Sequence, residues 1–211
     1  MRSLMLLVPI LLFSAQIPPQ AQYPQAQYPQ AQYKESGSAN APVVFEAYTD
    51  YECPYCAVFF REIVPPLMEQ YVKTGRMKFV HRDFPLPMHP HARQAARYAN
   101  AAGEMGRYEL VANQIFQTQN AWSKTGNIDA EVARVLPPGD IQKLRAIVQS
   151  HGDRLEATVK RDVDMGTNVD HVAGTPTVVI VDAKGKREVV QNAAFLPLSV
   201  WKSYLDAKLS R

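Results

Sequence analysis

The sequence has few cysteines and no strong excess of either charge. Two cysteines in 211 residues are too few for a disulfide-stapled scaffold or for a four-cysteine zinc site within one chain. Lys and Arg number 23 against 20 Asp and Glu, so the net charge of +3 gives no support to a nucleic-acid partner. Hydrophobic residues make up 46% of the chain, which is enough for a sizeable buried core.

The first twenty residues have the pattern of a secretory signal. Arg2 precedes ten apolar residues, Leu4 to Phe13, and this run is too short for a membrane span of ~20 residues. We therefore predict a signal peptide over residues 1–20 and a location in the periplasm or otherwise outside the cytoplasm. The alternatives are an uncleaved membrane anchor and a buried N-terminal helix.

A short repeat follows the predicted signal. The pentapeptide Ala-Gln-Tyr-Pro-Gln begins at Ala21 and again at Ala26, and Ala-Gln-Tyr returns at residues 31–33. Regular prolines and the lack of aliphatic residues disfavour a helix or a buried strand. We predict a low-complexity linker over residues 21–40, a folded domain over 41–211, and unchanged thermal stability after deletion of residues 16–38.

From residue 41 onward the hydrophobic pattern predicts an α/β domain. Its order is β-α-β, a helical insertion, then β-β-α. The insertion, at about 88–170, has the apolar spacing of three to five helices. Pro65 and Pro66 are expected to kink or interrupt the first helix. The remaining predicted elements are strands at 43–48, 77–82, 176–181 and 187–191, a first helix at 57–72, and a closing helix that Ser199 caps.

Cys53 and Cys56 are the residues that indicate chemistry. Cysteines three apart at a helix start lie on one face, close enough to form a disulfide. Helix N–H groups favour a thiolate at Cys53, whereas Cys56, one turn further on, is expected to be more buried. An accessible attacking sulfur and a buried resolving sulfur are what dithiol–disulfide exchange needs. A structural disulfide, or a metal site that adds His89 and His91, is the alternative.

Several segments together resemble the thioredoxin superfamily. They are Tyr-Thr-Asp-Tyr-Glu-Cys-Pro-Tyr-Cys at 48–56, the helix after it, and Gly174-Thr-Pro-Thr177 at the start of a strand. The helical insertion and Phe84-Pro-Leu86, with His91 and its alanine-rich helix, resemble the DsbA-type branch of bacterial extracytoplasmic oxidoreductases. The resemblance covers residues 41–211 and implies a thioredoxin-like fold with a DsbA-type all-helical subdomain.

The resemblance implies a site made of the two cysteines, the dipeptide between them, and a cis-proline loop that binds substrate peptide through the backbone of its preceding residue. These residues are Cys53, Pro54, Tyr55, Cys56, Thr175 and Pro176. Two positions depart from the family pattern. Relatives often have His where this chain has Tyr55, and an acidic residue where it has Ala47. Glu46 is adjacent to Ala47, but strand alternation directs it to the other face of the sheet.

We interpret the chain as an enzyme, an extracytoplasmic protein-disulfide oxidoreductase that acts as an oxidase. The resemblance implies unfolded or thiol-containing secreted proteins as substrates and a quinone-linked membrane protein for reoxidation. No cofactor, metal or nucleic acid is expected, because no glycine-rich phosphate loop or metal motif is present. Isomerases of this fold usually add a dimerisation domain, which residues 1–40 are too short to supply, and this disfavours the isomerase alternative. We expect a monomer. A reductase or isomerase and a redox-inert binding or metal-carrier module are the alternatives.

Overall fold

A computed structural model describes residues 31–210 of the chain. The predicted signal peptide and the first two copies of the repeat lie outside the described residues. Within residues 31–210, no helix combines the length and the apolar character that crossing a membrane requires. The described part of the chain is built on one mixed sheet of five strands, on which the helices pack.

The strands lie in the order β1-β3-β2-β4-β5. Strands β2 and β3 are parallel, as the predicted β-α-β unit requires, and the other neighbouring pairs are antiparallel. Every residue of β4 is buried, because the central strands are covered by helices on both faces. The strands are β1 Glu35–Ser36, β2 Val43–Thr49, β3 Met77–Asp83, β4 Thr177–Val181 and β5 Arg187–Val190.

The helix after β2 continues through its two prolines. It begins as α1 (Pro54–Val58), passes through a π-helical segment at Phe59–Ile63, becomes α2 (Val64–Leu67) and ends in a second π-helical segment, Met68–Val72. Proline has no N–H for an i→i−4 bond, and widening the turn is one way to accommodate it. The N–H of Val64 accordingly bonds to the carbonyl of Phe59. The expected interruption at Pro65 and Pro66 therefore takes the form of π turns within a continuous helix.

The insertion between β3 and β4 contains six helices rather than three to five. The two that the periodicity does not resolve have four and five residues, too short for an apolar stripe to repeat. The helices are α3 Ala92–Gly103, α4 Tyr108–Gln117, α5 Gln119–Trp122, α6 Ile128–Val132, α7 Pro138–Ser150 and α8 Gly152–Asn168.

The chain after β5 ends in a 3₁₀ turn, Ala193–Phe195, and a last helix, α9 (Leu198–Leu209). The predicted cap at Ser199 is wrong. Helix α9 begins two residues earlier than a cap at Ser199 would place it, because Pro197 has the non-helical backbone of a cap residue and Ser199 is already helical. Trp201 on α9 is buried in the core, as its apolar stripe predicts.

The folded part of the chain begins before residue 41. A 3₁₀ turn at Gln32–Lys34 leads into β1, and the ring of Tyr33 packs on Tyr108, 5.5 Å between centroids. The ammonium of Lys34 is buried and paired with the carboxylates of Asp83 and Asp162. In the third copy of the repeat, Lys34 stands in place of proline and Glu35 in place of glutamine, and the ion pairs of Lys34 hold this segment against the domain. The expected linker thus ends before Gln32 rather than at residue 40.

One hydrophobic core joins the sheet, the helix after β2 and the insertion. Phe60 of the π-helical segment stacks on Phe116 of α4, with ring centroids 4.2 Å apart. Trp122 of α5 is fully buried, and its indole N–H donates to the carbonyl of Ile115 at 2.8 Å. The insertion is therefore packed directly against the helix that carries the two cysteines.

Candidate active site at the Cys53–Cys56 pair

Cys53 lies at the N-cap position of α1, directly after β2. Its N–H donates to the carbonyl of Asp50 at 3.1 Å, which closes a turn between the strand and the helix. Pro54 occupies the first helical position, where its missing N–H costs no helical hydrogen bond. Cys56 follows within the first turn of α1, and both cysteines are free thiols. The turn brings the two thiols together at the positive end of the helix.

The two thiols differ in acidity. A hydrogen bond from the Cys56 thiol lowers the pKa of Cys53 to about 6, and the backbone N–H groups of Cys56 and Tyr55 act in the same direction against partial burial. Burial raises the pKa of Cys56 well above its usual value, and the neighbouring Cys53 raises it further. At neutral pH, Cys53 is the thiolate and Cys56 the thiol of this pair.

Exposure separates the thiols less than the sequence suggests. Cys53 exposes 4% of its surface and Cys56 none. Cys53 is covered because its sulfur lies 3.5 Å from the carbonyl oxygen of Thr175.

The loop before β4 forms the other side of the site. The bond between Thr175 and Pro176 is cis, as the resemblance implies. The carbonyl of Pro176 accepts the N–H of Ala193 at 2.9 Å. This hydrogen bond joins the proline loop to the 3₁₀ turn that ends at Phe195.

Two exposed aromatic rings lie next to the thiols. Tyr55 is 52% exposed and Phe195 is 65% exposed, and their ring centroids are 5.0 Å apart. Met88, in the loop between β3 and α3, is 77% exposed. Because the rings of Tyr55 and Phe195 are in contact, they form one exposed apolar patch beside the thiols, and such patches commonly mark a contact surface.

Two acidic residues before Cys53 hold the loop that joins β3 to α3. The buried carboxylate of Asp50 accepts the N–H of Leu86 and contacts Nδ1 of His89, both at 2.7 Å. The carboxylate of Glu52 accepts the N–H of His91 at 2.7 Å. The backbone N–H of Asp50 also points at the sulfur of Cys56, 3.4 Å away. The sequence pattern does not predict that Asp50 and Glu52 hold this loop, because their partners in the loop lie more than thirty residues further along the chain.

A further polar contact reaches the site from the insertion. The side-chain amide of Gln119, the first residue of α5, donates to the carbonyls of Tyr51 and Cys53 at 2.7 and 2.9 Å. Gln119 is 4% exposed. No sequence signal short of the fold itself could identify it, because it is one of three glutamines within six residues of a helical segment.

The other face of the sheet holds a buried ionic network. Ala47 is fully buried on the face of the cysteines, and Glu46 lies on the opposite face, as strand alternation predicts. Burial alone would raise the pKa of Glu46, but Arg82 and Arg187 lower it. Glu46 hydrogen-bonds both guanidinium groups. It is thus committed to a structural network and does not replace the acidic residue absent at position 47.

The metal alternative has no geometric support in the described part of the chain. Residues 31–210 contain no cluster of three or more His, Cys, Asp or Glu side chains that could hold a metal ion. His89 is paired with Asp50 instead, and the ring of His91 packs over Gly126, where a Cβ atom would overlap it.

Comparison with known proteins gives the family. The model of the thioredoxin family, described as "Thioredoxin", matches residues 33–193, and the chain belongs to this family. The fold is similar to alpha-DsbA1 of Wolbachia pipientis, with a TM-score of 0.67, 18% identity, and 84% of this chain and 90% of that one covered. It is also similar to BdbD of Bacillus subtilis, with a TM-score of 0.68, 20% identity, and 84% and 93% covered. These likenesses confirm the predicted thioredoxin-like fold of DsbA type.

Curated relatives are longer than this chain. A Rickettsia prowazekii protein named as a protein-disulfide oxidoreductase is 21% identical over 156 residues, 74% of this chain and 57% of that protein. A Na(+)/H(+) antiporter, NhaA 3 of Salinispora tropica, is 28% identical over 175 residues, 82% of this chain and 25% of the antiporter. The chain therefore spans between a quarter and somewhat more than half the length of these relatives.

Proposed function

We propose that the protein is an extracytoplasmic thiol–disulfide oxidoreductase that works through Cys53 and Cys56 and runs as an oxidase of secreted proteins. The observation that carries this proposal is the asymmetry of the pair. Cys53 has a pKa of about 6 at the start of α1, and the buried Cys56 has a raised pKa. The Rickettsia relative named as a protein-disulfide oxidoreductase supports the same class of reaction.

The exchange begins with the disulfide form of the pair. A substrate thiolate attacks the sulfur of Cys53, the bond between the two protein sulfurs breaks, and its electron pair passes to Cys56, which takes up a proton. A mixed disulfide now joins the substrate to Cys53. A second substrate thiolate attacks the substrate sulfur of this bond, and Cys53 leaves as a thiolate. The substrate gains a disulfide and the protein becomes a dithiol.

The low pKa of Cys53 favours the oxidase direction. A stabilised thiolate makes Cys53 a good leaving group in the second step and lowers the free energy of the reduced protein. A protein whose reduced form is stabilised is an oxidant toward ordinary thiols. We expect a reduction potential between about −120 mV, typical of a strong oxidase, and about −200 to −230 mV, typical of glutaredoxins.

The surroundings of Cys53 suit an extended, apolar segment of an unfolded protein. The cis-proline loop presents the backbone of Thr175 beside the sulfur, and an exposed backbone edge can pair with a peptide strand. The rings of Tyr55 and Phe195 offer apolar contact area on the same side. We propose thiol-containing secreted proteins as substrates and a quinone-linked membrane protein as the reoxidant.

The central experiment follows disulfide transfer to a reduced, unfolded protein. The oxidised protein should form disulfides in this substrate, whereas Cys53→Ser should be inactive. Cys56→Ser, mixed with a substrate that carries a disulfide, should accumulate a mixed disulfide at Cys53: its thiolate displaces one substrate thiol, and the internal thiol that would release the other is absent. Transfer by Cys53→Ser at the rate of the unaltered protein would rule out the proposal.

A second measurement separates oxidase from reductase. Equilibration with glutathione gives the reduction potential, and an insulin-reduction assay gives reductase activity. A potential near −270 mV, as in thioredoxin, with fast insulin reduction would favour a reductase. No exchange in either assay would favour a redox-inert binding module.

A further inference from the structure

The side chain of Gln119, in the insertion, hydrogen-bonds the backbone of the active-site turn. Its amide nitrogen donates to two carbonyl oxygens, that of Tyr51 at 2.7 Å and that of Cys53 at 2.9 Å. The two acceptors lie on either side of Glu52, so one amide spans the turn. The side chain is buried, and α5 is anchored next to it by the fully buried Trp122. A buried amide held in this way has little freedom to leave its acceptors.

The geometry of this turn decides how the helix acts on the nucleophile. Cys53 has no side-chain cap, and its carbonyl accepts the N–H of Ala57 at 3.2 Å, the first hydrogen bond of α1. The N–H groups of Tyr55 and Cys56 lower the pKa of the Cys53 thiol. They do so only while the peptide units before Pro54 keep the sulfur in front of the helix end, since the helix-end effect falls off within one turn.

We propose that Gln119 is a positioning residue for the nucleophile, a contact through which the helical insertion sets the reactivity of Cys53. On the other side, Asp50 and Glu52 hold the same turn to the loop between β3 and α3. The amide of Gln119 holds the carbonyl groups of Tyr51 and Cys53 in place. Without it, the carbonyl of Tyr51 loses its donor, and the sulfur is free to move away from the N–H groups of α1. This proposal rests on the proposed function, because it concerns the same thiolate.

The test replaces Gln119 by methionine, which keeps the length and the burial of the side chain but donates no hydrogen bond. The pKa of Cys53, followed by thiolate absorbance in the ultraviolet, should rise by about one unit, which is a tenfold loss of thiolate stabilisation. The equilibrium with glutathione should move about tenfold toward the oxidised protein. The matched control is Gln117→Met, the same change at an exposed position two residues earlier, which should leave both values unchanged.

A merely structural role gives a different result. Gln119→Met would then lower the melting temperatures of the oxidised and reduced proteins equally, with the pKa of Cys53 and the glutathione equilibrium unchanged, and the proposal would be overturned. Gln119→Asn keeps an amide that is one methylene shorter and reaches one carbonyl at most, so it should shift both values in the same direction by less. If the methionine variant does not fold, an unchanged pKa in the asparagine variant overturns the proposal.

The outcome also separates this proposal from the proposed function. If the unaltered protein does not exchange with glutathione, the proposed function fails, and titration of Cys53 in the variants still decides the role of Gln119. If the unaltered protein exchanges and the Gln119 variants match it in both measurements, only the positioning role fails.

Discussion

Tyr55, between the two cysteines, is one of the residues on which the stabilisation of the Cys53 thiolate depends. Its ring is neutral, half exposed and in contact with Phe195, so it lends no positive charge to the sulfur. Tyr55→His should lower the pKa of Cys53 below about 6 and raise the reduction potential, because an imidazolium favours the neighbouring thiolate. Ultraviolet titration and glutathione equilibration measure the two quantities. Tyr55→Phe keeps the ring contact without a charge and should change neither.

Asp50 is the residue on which the loop between β3 and α3 depends. Its buried carboxylate accepts N–H groups from Glu52 and Leu86 and contacts His89. An asparagine accepts through one oxygen only, and its NH₂ group would face a donor. Asp50→Asn should therefore lower the free energy of unfolding by about 2 kcal/mol, measured by urea denaturation.

The control for this prediction is an exposed aspartate. Asp153→Asn, in the first turn of α8, should change the free energy of unfolding by less than about 1 kcal/mol. Equal losses in the two variants would contradict the role given to Asp50.

For single residues, the sequence predicts the features that depend on neighbouring residues, but it does not predict contacts between residues far apart in the chain. The position of Cys53 at a helix start follows from a strand, a turn and a proline that are adjacent in the chain. The contact from Gln119 joins residues 66 positions apart, and no local pattern encodes such a pairing. The side of the sheet taken by Glu46 was predictable, because strand alternation is itself local. Its partners Arg82 and Arg187 were not, since they belong to other strands.

Among the elements, the N-terminal segment departs most from its sequence pattern. The prolines of the first two repeats predict a spacer up to residue 40, but in the third copy Lys34 replaces proline and forms buried ion pairs with the domain. Composition averages over such a residue, and its partners Asp83 and Asp162 lie far along the chain. Deletion of residues 16–38 removes Lys34 with its buried ion pairs, so we now expect this deletion to lower the thermal stability.

Two truncated chains test the importance of this segment. A chain that begins at Ala41 should melt several degrees lower than one that begins at Ala31, because Asp83 loses its buried ammonium partner and Asp162 retains Arg82 but loses Lys34. Removing one partner of a buried pair typically costs about 3–5 kcal/mol. Thermal unfolding of both chains measures the difference. Equal melting temperatures would show that β1 and Lys34 add nothing to stability.

Lys34→Met separates the ion pair from the strand. It keeps β1 and fills most of the volume of the lysine, but leaves the two carboxylates without their ammonium. We expect Lys34→Met to show most of the decrease in melting temperature that the chain beginning at Ala41 shows. If only the truncated chain melts at a lower temperature, the stabilisation by this segment comes from the pairing of β1 with β3 instead.

For the molecule as a whole, the two thiols link stability to pH in opposite directions. Cys53 has a folded pKa of about 6, below the ~8.5 of a free cysteine. Its stabilising effect is complete above ~8.5 and is lost as the pH falls through about 6. Cys56 has a raised pKa, so the unfolded chain gains stability above ~8.5, where its own Cys56 ionises.

The stability of the reduced protein relative to the oxidised one should therefore depend on pH with a maximum. The difference in melting temperature, reduced minus oxidised, should grow from pH ~6 to pH ~8 and decline above pH ~9, because only the reduced form has thiols that titrate. Calorimetry of both forms across this pH range measures the difference in melting temperature. The contributions of all other titrating groups are nearly the same in the two forms and cancel to first order. A protein with Cys53→Ser and Cys56→Ser should show no such maximum against the oxidised form. A difference that stays flat from pH 6 to pH 8 would mean that Cys53 is not a stabilised thiolate, and both the oxidase direction and the role of the α1 N–H groups would lose their physical basis.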